Sequence, residues 1–278
     1  MSTAFIGGGN MAGALIGGLV GRGVAPDAIR VVEPSSGQRQ VLESRYPGLQ
    51  VGSCVDEVGD LARSELIVMA VKPQQMRDAL RPLVPLLGVS QPVIVTIAAG
   101  VRLETIHRWL DGYGRVVRAM PNTPALIGQG LAGAYAPPAV DAAGRKLAED
   151  VLRAGGDVIW LDDEAQLDAV TGVSGSGPAY VFYFLEAIER AARELGFTDA
   201  VARQFAYKTF SGAIALAQAS EHSPSTLRAQ VTSKGGTTER GLQVLEQAQV
   251  ADSIVMAVKA ATERARELGA APADQEHG

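Results

Sequence analysis

The sequence predicts a two-part chain: a doubly wound α/β domain over residues 1–161, followed by an all-helical domain over 162–278. Three observations predict it. Short apolar runs alternate with helical patterns through the first half. The first of these runs leads straight into a glycine-rich turn and an alanine-rich helical stretch. After Asp162 the strand signals stop, and apolar residues recur at helical spacing instead.

Thr3-Ala4-Phe5-Ile6 reads as the first strand. It opens into Gly7-Gly8-Gly9-Asn10-Met11-Ala12, and a helix follows to about Gly21. A G-x-G-x-x-A sequence between strand and helix is the context of a dinucleotide-binding turn. Gly7 allows the tight turn, Gly9 lets backbone approach a pyrophosphate, and Ala12 keeps helix and strand close, with Asn10 and Met11 at the helix start. Residues 29–33 form the second predicted strand, ending at Glu33. An acid there accepts hydrogen bonds from the adenosine ribose hydroxyls of NAD and repels a 2′-phosphate. Ser35, Ser36 and Arg39 nearby still offer a phosphate site, so the reading is dual cofactor use with NADH favoured.

The run 65–71 is almost continuously apolar, as a parallel strand covered on both faces should be. Residues 92–97, 115–120, 131–135 and 157–161 continue the sheet. In such sheets ligands bind beyond the carboxyl ends of the strands. Ala70-Val71-Lys72-Pro73, Ile97-Ala98-Ala99-Gly100 and Met120-Pro121-Asn122-Thr123-Pro124 each follow a predicted strand and together line one crevice beside the glycine turn. Singly, each also reads as an ordinary strand–helix connection. Lys72 is either a solvated charge or a contact to phosphate or ribose.

In the second half, 179–195, 200–219, 224–231, 239–247 and 251–268 are helix candidates. They are alanine-rich and apolar on more than one side, which points to packing against another subunit. The tail 270–278 is small and polar and reads as disordered.

Composition narrows the function. In 278 residues, 47% are hydrophobic and 20% charged, the balance of a soluble globular chain. A net charge of −5 with no basic stripe argues against nucleic acid. The single cysteine, Cys54, excludes an internal disulfide and a multi-cysteine metal site, and no metal ligand set is expected. No run reaches membrane-spanning length, and the strand at the N-terminus leaves no room for a signal peptide, so a cytoplasmic location is expected. His107, His222 and His277 fall in no motif, so a histidine general acid is not supported.

The segment 231–241 reads Val-Thr-Ser-Lys-Gly-Gly-Thr-Thr-Glu-Arg-Gly. Alone, Gly-Gly-Thr-Thr before a helix is a plain cap. It also leaves backbone amides free to hold a carboxylate. Together with FIGGGNMAGALIGGL near the start, AVKPQ at 70–74, IAAG at 97–100, RAMPNTPA at 118–125, DAVTGVSGSGPAYVF at 168–182 and VTSKGGTTERGL at 231–242, it resembles the pyrroline-5-carboxylate reductase family of proline biosynthesis. The segments lie in one order along nearly the whole chain. The resemblance implies a Rossmann-like domain followed by a helical dimerisation domain, with NAD(P)H as cofactor and 1-pyrroline-5-carboxylate as substrate. It further implies a homodimer or, as pentamers of dimers, a homodecamer.

On that resemblance Gly235, Gly236 and Thr237 hold the substrate carboxylate beside Ser233, and the catalytic Thr238 hydroxyl contacts the ring nitrogen. Glu164 matches an acidic position near the family's substrate, although it serves equally well as a solvated helix-start acid. Ser174, Ser176 and Gly177 are placed beside the substrate, or form a structural cap ahead of Pro178. The cofactor set is Gly7, Gly9, Asn10, Met11, Glu33, Ser35, Ala70, Val71, Lys72, Pro73, Ala98 and Asn122. Asp56-Glu57 departs from the family's usual residue near the adenine. Lys234 and Arg240 depart beside the glycines, where their charge attracts a carboxylate or faces solvent.

Overall fold

A computed structural model describes residues 2–59 and 61–270. Its centre is an eight-stranded sheet in the order β3-β2-β1-β4-β5-β6-β7-β8. The strands are β1 (Thr3–Ile6), β2 (Ile29–Val32), β3 (Gln50–Gly52), β4 (Leu66–Met69), β5 (Val93–Thr96), β6 (Val116–Met120), β7 (Gly130–Tyr135) and β8 (Gly156–Trp160). β1 to β6 run parallel, β7 is antiparallel to β6, and β8 is parallel to β7. β1, β4 and β5 are buried along their whole length, which is why their sequences are apolar without alternation. Side chains divide between two cores, Phe5, Val31, Leu66 and Val95 with one face, Ala4, Ile6, Ile67 and Ile94 with the other.

The helices that cover this sheet are α1 (Asn10–Gly21), α2 (Ser36–Arg45), α3 (Met76–Leu80), α4 (Val84–Ser90), α5 (Leu103–Trp109), α6 (Ala142–Leu152) and α7 (Gln166–Val170). A π-helical turn, Thr171–Gly175, continues α7. Each predicted strand forms within a residue or two of its expected bounds. β3 has no counterpart in the sequence reading, nor does the reversal of β7. The α1 helix lies so close to the segment after α6 that a Cβ on Gly18 would stand 1.9 Å from the Ala154 carbonyl oxygen. Close backbone packing therefore requires glycine there.

Compactness divides the chain into one unit of residues 1–176 with 260–278, and a second of 177–259. The division falls later than the expected 161/162 boundary because α7 and the π turn pack on the sheet, with Val170 against Gly133. The residues after 260 join the first unit for a similar reason, since Leu268 lies against Gly100.

The second unit is built from α8 (Gly177–Glu194), α9 (Asp199–Gln218), α10 (Pro224–Gln230), α11 (Thr237–Gln247) and the start of α12 (Val250–Ala270). α8 packs on α9, helped by the edge-to-face pair Phe197–Phe205 at 5.1 Å and by Glu189 facing Arg193 and Arg203. Within this chain the unit leaves Phe182, Tyr183, Tyr207, Ile214, Leu216, Val244, Val255 and Met256 exposed. Of the tail read as disordered, Ala270 ends α12, and 271–278 lie outside the described residues. No described helix is long and apolar enough to cross a membrane.

Gly18 and Gly21 share α1, yet alanine should act oppositely at the two. Gly18→Ala should destabilise by about 2 kcal/mol or more through overpacking on Ala154, although alanine is the better helix former. Gly21→Ala, where a Cβ meets open space, should be neutral or stabilising by up to about 1 kcal/mol. Equilibrium urea unfolding of both variants checks this, and shifts of the same sign would refute the packing account.

Candidate active site

Strand register gathers the predicted cofactor residues. Ile6 pairs with Val32 and Met69, Met69 with Thr96, and Thr96 with Arg118. Gly7, Glu33 and Ala70, which follow β1, β2 and β4, and Ala98, two residues beyond β5, therefore lie along one carboxyl edge. Gly7 has φ +97°, and a Cβ there would come 2.6 Å from the Ala70 carbonyl oxygen. Both facts demand glycine. Val71 adjoins the same glycine, while Lys72 is exposed and begins a 3₁₀ turn at Pro73.

The start of α1 suits a pyrophosphate. Its N-cap is Gly9, without a side-chain cap, and the first helical bond runs from Gly13 N–H to the Gly9 carbonyl. The amides of Asn10, Met11 and Ala12 thus precede the ladder. A Cβ on Gly9 would meet nothing within 4 Å, and no acidic residue stands in the first turn. An anionic dinucleotide fits this open, amide-lined helix start.

Glu33 is held more tightly than the sequence suggested. Its carboxylate accepts from Gly8 N–H and from Ser35 N–H, both at 2.8 Å. Gln38 donates back to the Gly8 carbonyl at 2.6 Å, so Gly8 is clipped on both polar groups. Ser35 caps α2, its hydroxyl accepting from Gln38 N–H, and Arg39 donates to the carbonyls of Glu33 and Pro34. Of the expected phosphate donors, the Ser35 amide and Arg39 are thus engaged within the protein. Nearby, bonds from the Ser53 hydroxyl and amide hold the Glu57 carboxyl below the usual carboxylate range.

Around β6, Glu164 Oε1 accepts from Leu103 N–H at 2.8 Å and pairs with Arg118, which is 4% exposed. Arg102 pairs with buried Asp168 at 3.0 Å. Glu164 therefore caps α5 and neutralises a buried guanidinium, and is not a freely solvated acid. The sequence reading missed the roles of Arg118, Arg102 and Asp168. Arg118 carried a signal: a cation within the apolar run Val116-Val117-Arg118-Ala119-Met120 must find a partner. Asn122 bridges Leu131 N–H, at 2.9 Å, and Ser174 Oγ, at 3.0 Å. Ser176 closes the π turn, its N–H donating to the Thr171 carbonyl. Among the described residues no cluster of metal-ligating side chains occurs.

In the second unit the GGTT segment opens α11, whose N-cap is Gly236 with no side-chain cap. Gly235 has φ +71°. The expected carboxylate cradle of Gly235, Gly236 and Thr237 is only partly open. Gly235 N–H donates to Glu239 Oε2 at 2.7 Å, and Gly236 N–H to the Ser233 carbonyl at 3.0 Å. The ladder starts with Arg240 N–H to the Gly236 carbonyl, so the amides at the helix start are those of Thr237, Thr238 and Glu239. Thr237, Thr238, Ser233 and Lys234 are exposed within this chain. Arg240 reaches Gln243. His107 is half-buried with its Nε2 unpartnered, His222 is exposed, and His277 is outside the described residues.

The family profile for pyrroline-5-carboxylate reductase dimerisation matches residues 164–268, and one for coenzyme F420-dependent NADP oxidoreductases matches residues 2–100. A pyrroline-5-carboxylate reductase of Pseudomonas aeruginosa is 42% identical over 271 residues, covering 96% of this chain and 98% of that protein. The solved pyrroline-5-carboxylate reductase of Coxiella burnetii superposes with a TM-score of 0.88 at 36% identity, over 96% of this chain and 98% of that one. The Plasmodium falciparum pyrroline carboxylate reductase, solved with NADP bound, gives 0.85 at 26% identity over 97% and 98%.

Breaking the buried pair tests its weight. Glu164→Ala leaves Arg118 uncompensated and Leu103 N–H without its acceptor, so the fold should lose about 3 kcal/mol or more. Chemical denaturation measures this. A loss below about 1 kcal/mol would mean that Arg118 is solvated once the carboxylate is gone.

Proposed function

The chain belongs to the pyrroline-5-carboxylate reductase family, and from that premise we infer that it transfers a hydride from NAD(P)H to the C=N carbon of 1-pyrroline-5-carboxylate, giving L-proline. The single observation that carries this reading is 42% identity along nearly the full length of a reductase of that name. It is an oxidoreductase acting on a CH–NH group, and its dimerisation segment makes it a homo-oligomer.

Bound NAD(P)H supplies the hydride. The chain's own residues bind and orient. We assign Gly7, Gly9, Asn10 and Met11 to the pyrophosphate, Glu33 to the adenosine ribose, and Ala70, Val71, Lys72, Pro73 and Ala98 to the edge along which the dinucleotide lies. For the substrate we assign the Thr237, Thr238 and Glu239 amides to the carboxylate, with Ser233 beside them, and the Thr238 hydroxyl to the ring nitrogen. Ser176 is kept as a substrate contact. Glu164 is kept close to it, through the helix start that it caps. A cyclic imine that arrives protonated already carries the charge that hydride transfer neutralises, so positioning alone lowers the barrier substantially. This agrees with a site in which no histidine falls in any motif.

Glu33 further supports NADH over NADPH. Its carboxylate occupies the Gly8 and Ser35 amides, and a 2′-phosphate would meet that charge instead of a donor. The exposed apolar side chains of the second unit support a dimer, and pentamers of dimers would give a decamer. We place the enzyme in the cytoplasm. Functionally, we assign residues 1–161 chiefly to the cofactor and 162–278 chiefly to substrate and assembly.

Turnover with the cyclic imine tests the assignment. Thr238→Ala should lower kcat/KM about tenfold or more, equivalent to ~1.4 kcal/mol in the barrier, while NADH affinity stays unchanged. Unaltered turnover would remove Thr238 from the site. No wild-type turnover with either cofactor would overturn the reaction itself. Separately, Glu33→Ser should shift the NADPH-to-NADH ratio of kcat/KM toward NADPH by roughly tenfold, and a wild-type enzyme that already prefers NADPH would refute the role given to Glu33.

A further inference from the structure

The contact between Asn122 and Ser174 can be assigned atom by atom. The Leu131 amide donates to Asn122 Oδ1 at 2.9 Å. A backbone N–H only donates, so the side-chain oxygen must face Leu131 and the amide nitrogen must face Ser174, 3.0 Å away. That nitrogen is a donor without acceptor capacity, so Ser174 Oγ accepts. The Ser174 hydroxyl proton is thereby directed away from Asn122, and no hydrogen bond within the described residues takes it up. Ser174 is only half-buried. It is a hydroxyl whose acceptor role is filled and whose donor role is open.

The backbone holds that hydroxyl in place. Ser174 sits in the π-helical turn Thr171–Gly175, an irregularity that concentrates at functional sites. The Thr171 hydroxyl is spent on the Leu167 carbonyl at 2.8 Å. At Gly175 a Cβ would come 2.8 Å from Met120 Cε, so the turn lies close against the end of β6. In the sheet order β2-β1-β4-β5-β6, Glu33 marks the ribose end and the glycine turn of β1 the pyrophosphate. A dinucleotide running from Glu33 across that turn directs its other half toward the ends of β4, β5 and β6.

We propose that Ser174 is a cofactor-binding residue that donates to the carboxamide oxygen of the nicotinamide, and that Asn122 acts through it as a positioning residue. The inference rests on the dinucleotide reading above. It reassigns Asn122 from direct cofactor contact to orientation of Ser174, since its oxygen and one of its N–H groups are already engaged in the protein.

Binding without substrate tests it, by titrating NADH and ADP-ribose, which lacks the nicotinamide, into the full-length protein. Ser174→Ala should weaken NADH about fivefold and leave ADP-ribose unchanged. Asn122→Asp keeps the acceptor for Leu131 N–H, and with it the fold, but turns the partner of Ser174 into a second acceptor that claims the hydroxyl proton. It should reproduce the Ser174→Ala loss for NADH, and the double variant should lose no more than either single one. The ADP-ribose titration controls for repulsion of the pyrophosphate by the new carboxylate, and thermal unfolding controls for folding. Equal weakening of both ligands by Ser174→Ala, or wild-type NADH affinity in that variant, would overturn the contact. Additive losses in the double variant would overturn the positioning role. Wild-type protein that binds neither ligand would overturn the dinucleotide reading along with the inference.

Discussion

The parallel register of β1 with β2 and β4 is the constraint on which the site depends. Because Ile6, Val32, Met69 and Thr96 stand level, the turns that follow them open at one edge. The register survives only if backbone at that edge packs without side chains in the way. Gly7, pressed against the Ala70 carbonyl, is where this is most acute. Gly18 against Ala154 applies the same restriction at the other end of α1. Together they fix the direction of α1, and so the direction in which its free amides point.

The buried charges extend this order across the sheet. Desolvating a guanidinium costs several kcal/mol, which a well-made pair with further hydrogen bonds roughly offsets. Arg118 and Glu164 satisfy that condition because Glu164 also caps α5. Little net stability need result. What results is a defined seat for the segment before α7, reinforced by Arg102 and Asp168, and α7 leads directly into the turn that carries Ser174. The pair thus helps fix where that turn lies.

Much of the fold was legible because burial on both faces removes alternation from β1, β4 and β5, leaving runs that read as little else. β3 was not legible. It has three residues, and its burial is marked only by Gly52, so it carries too few side chains for a pattern. The reversal of β7 was hidden because strand direction is set by the length of connection, not by composition. At the candidate site, motif positions single out segments but not which polar atoms in them are free. The glycines of GGTT signalled an open helix start. That the Gly235 amide is taken by Glu239, and the Gly236 amide by a turn, depends on local geometry that a motif does not encode. Asn122 was singled out by its motif, and its partners Leu131 and Ser174 were not foreseeable from spacing.

Capping and ligand binding compete for the same amides, and the helix starts of this chain differ in how those amides are met. Ser35, Asp141 and Ser223 cap α2, α6 and α10 with their own side chains. Leu103, at the start of α5, is served from outside by Glu164. α1 and α11 instead begin on Gly9 and Gly236 with no side-chain cap. Replacing a Ser or Asp cap by glycine costs only a few tenths of a kcal/mol, because water reaches the amides that a side chain would have covered. Such a helix start is nearly as stable as a capped one, yet its amides exchange water for an anion without first breaking a protein contact. The two uncapped glycine starts are the two that the proposed reading gives to anions, a pyrophosphate and a carboxylate. Neither start needs a cationic side chain to hold its anion, because backbone amides can do so. The chain can therefore fix both anionic partners while leaving the charge at the reacting carbon and nitrogen to be settled between hydride and iminium.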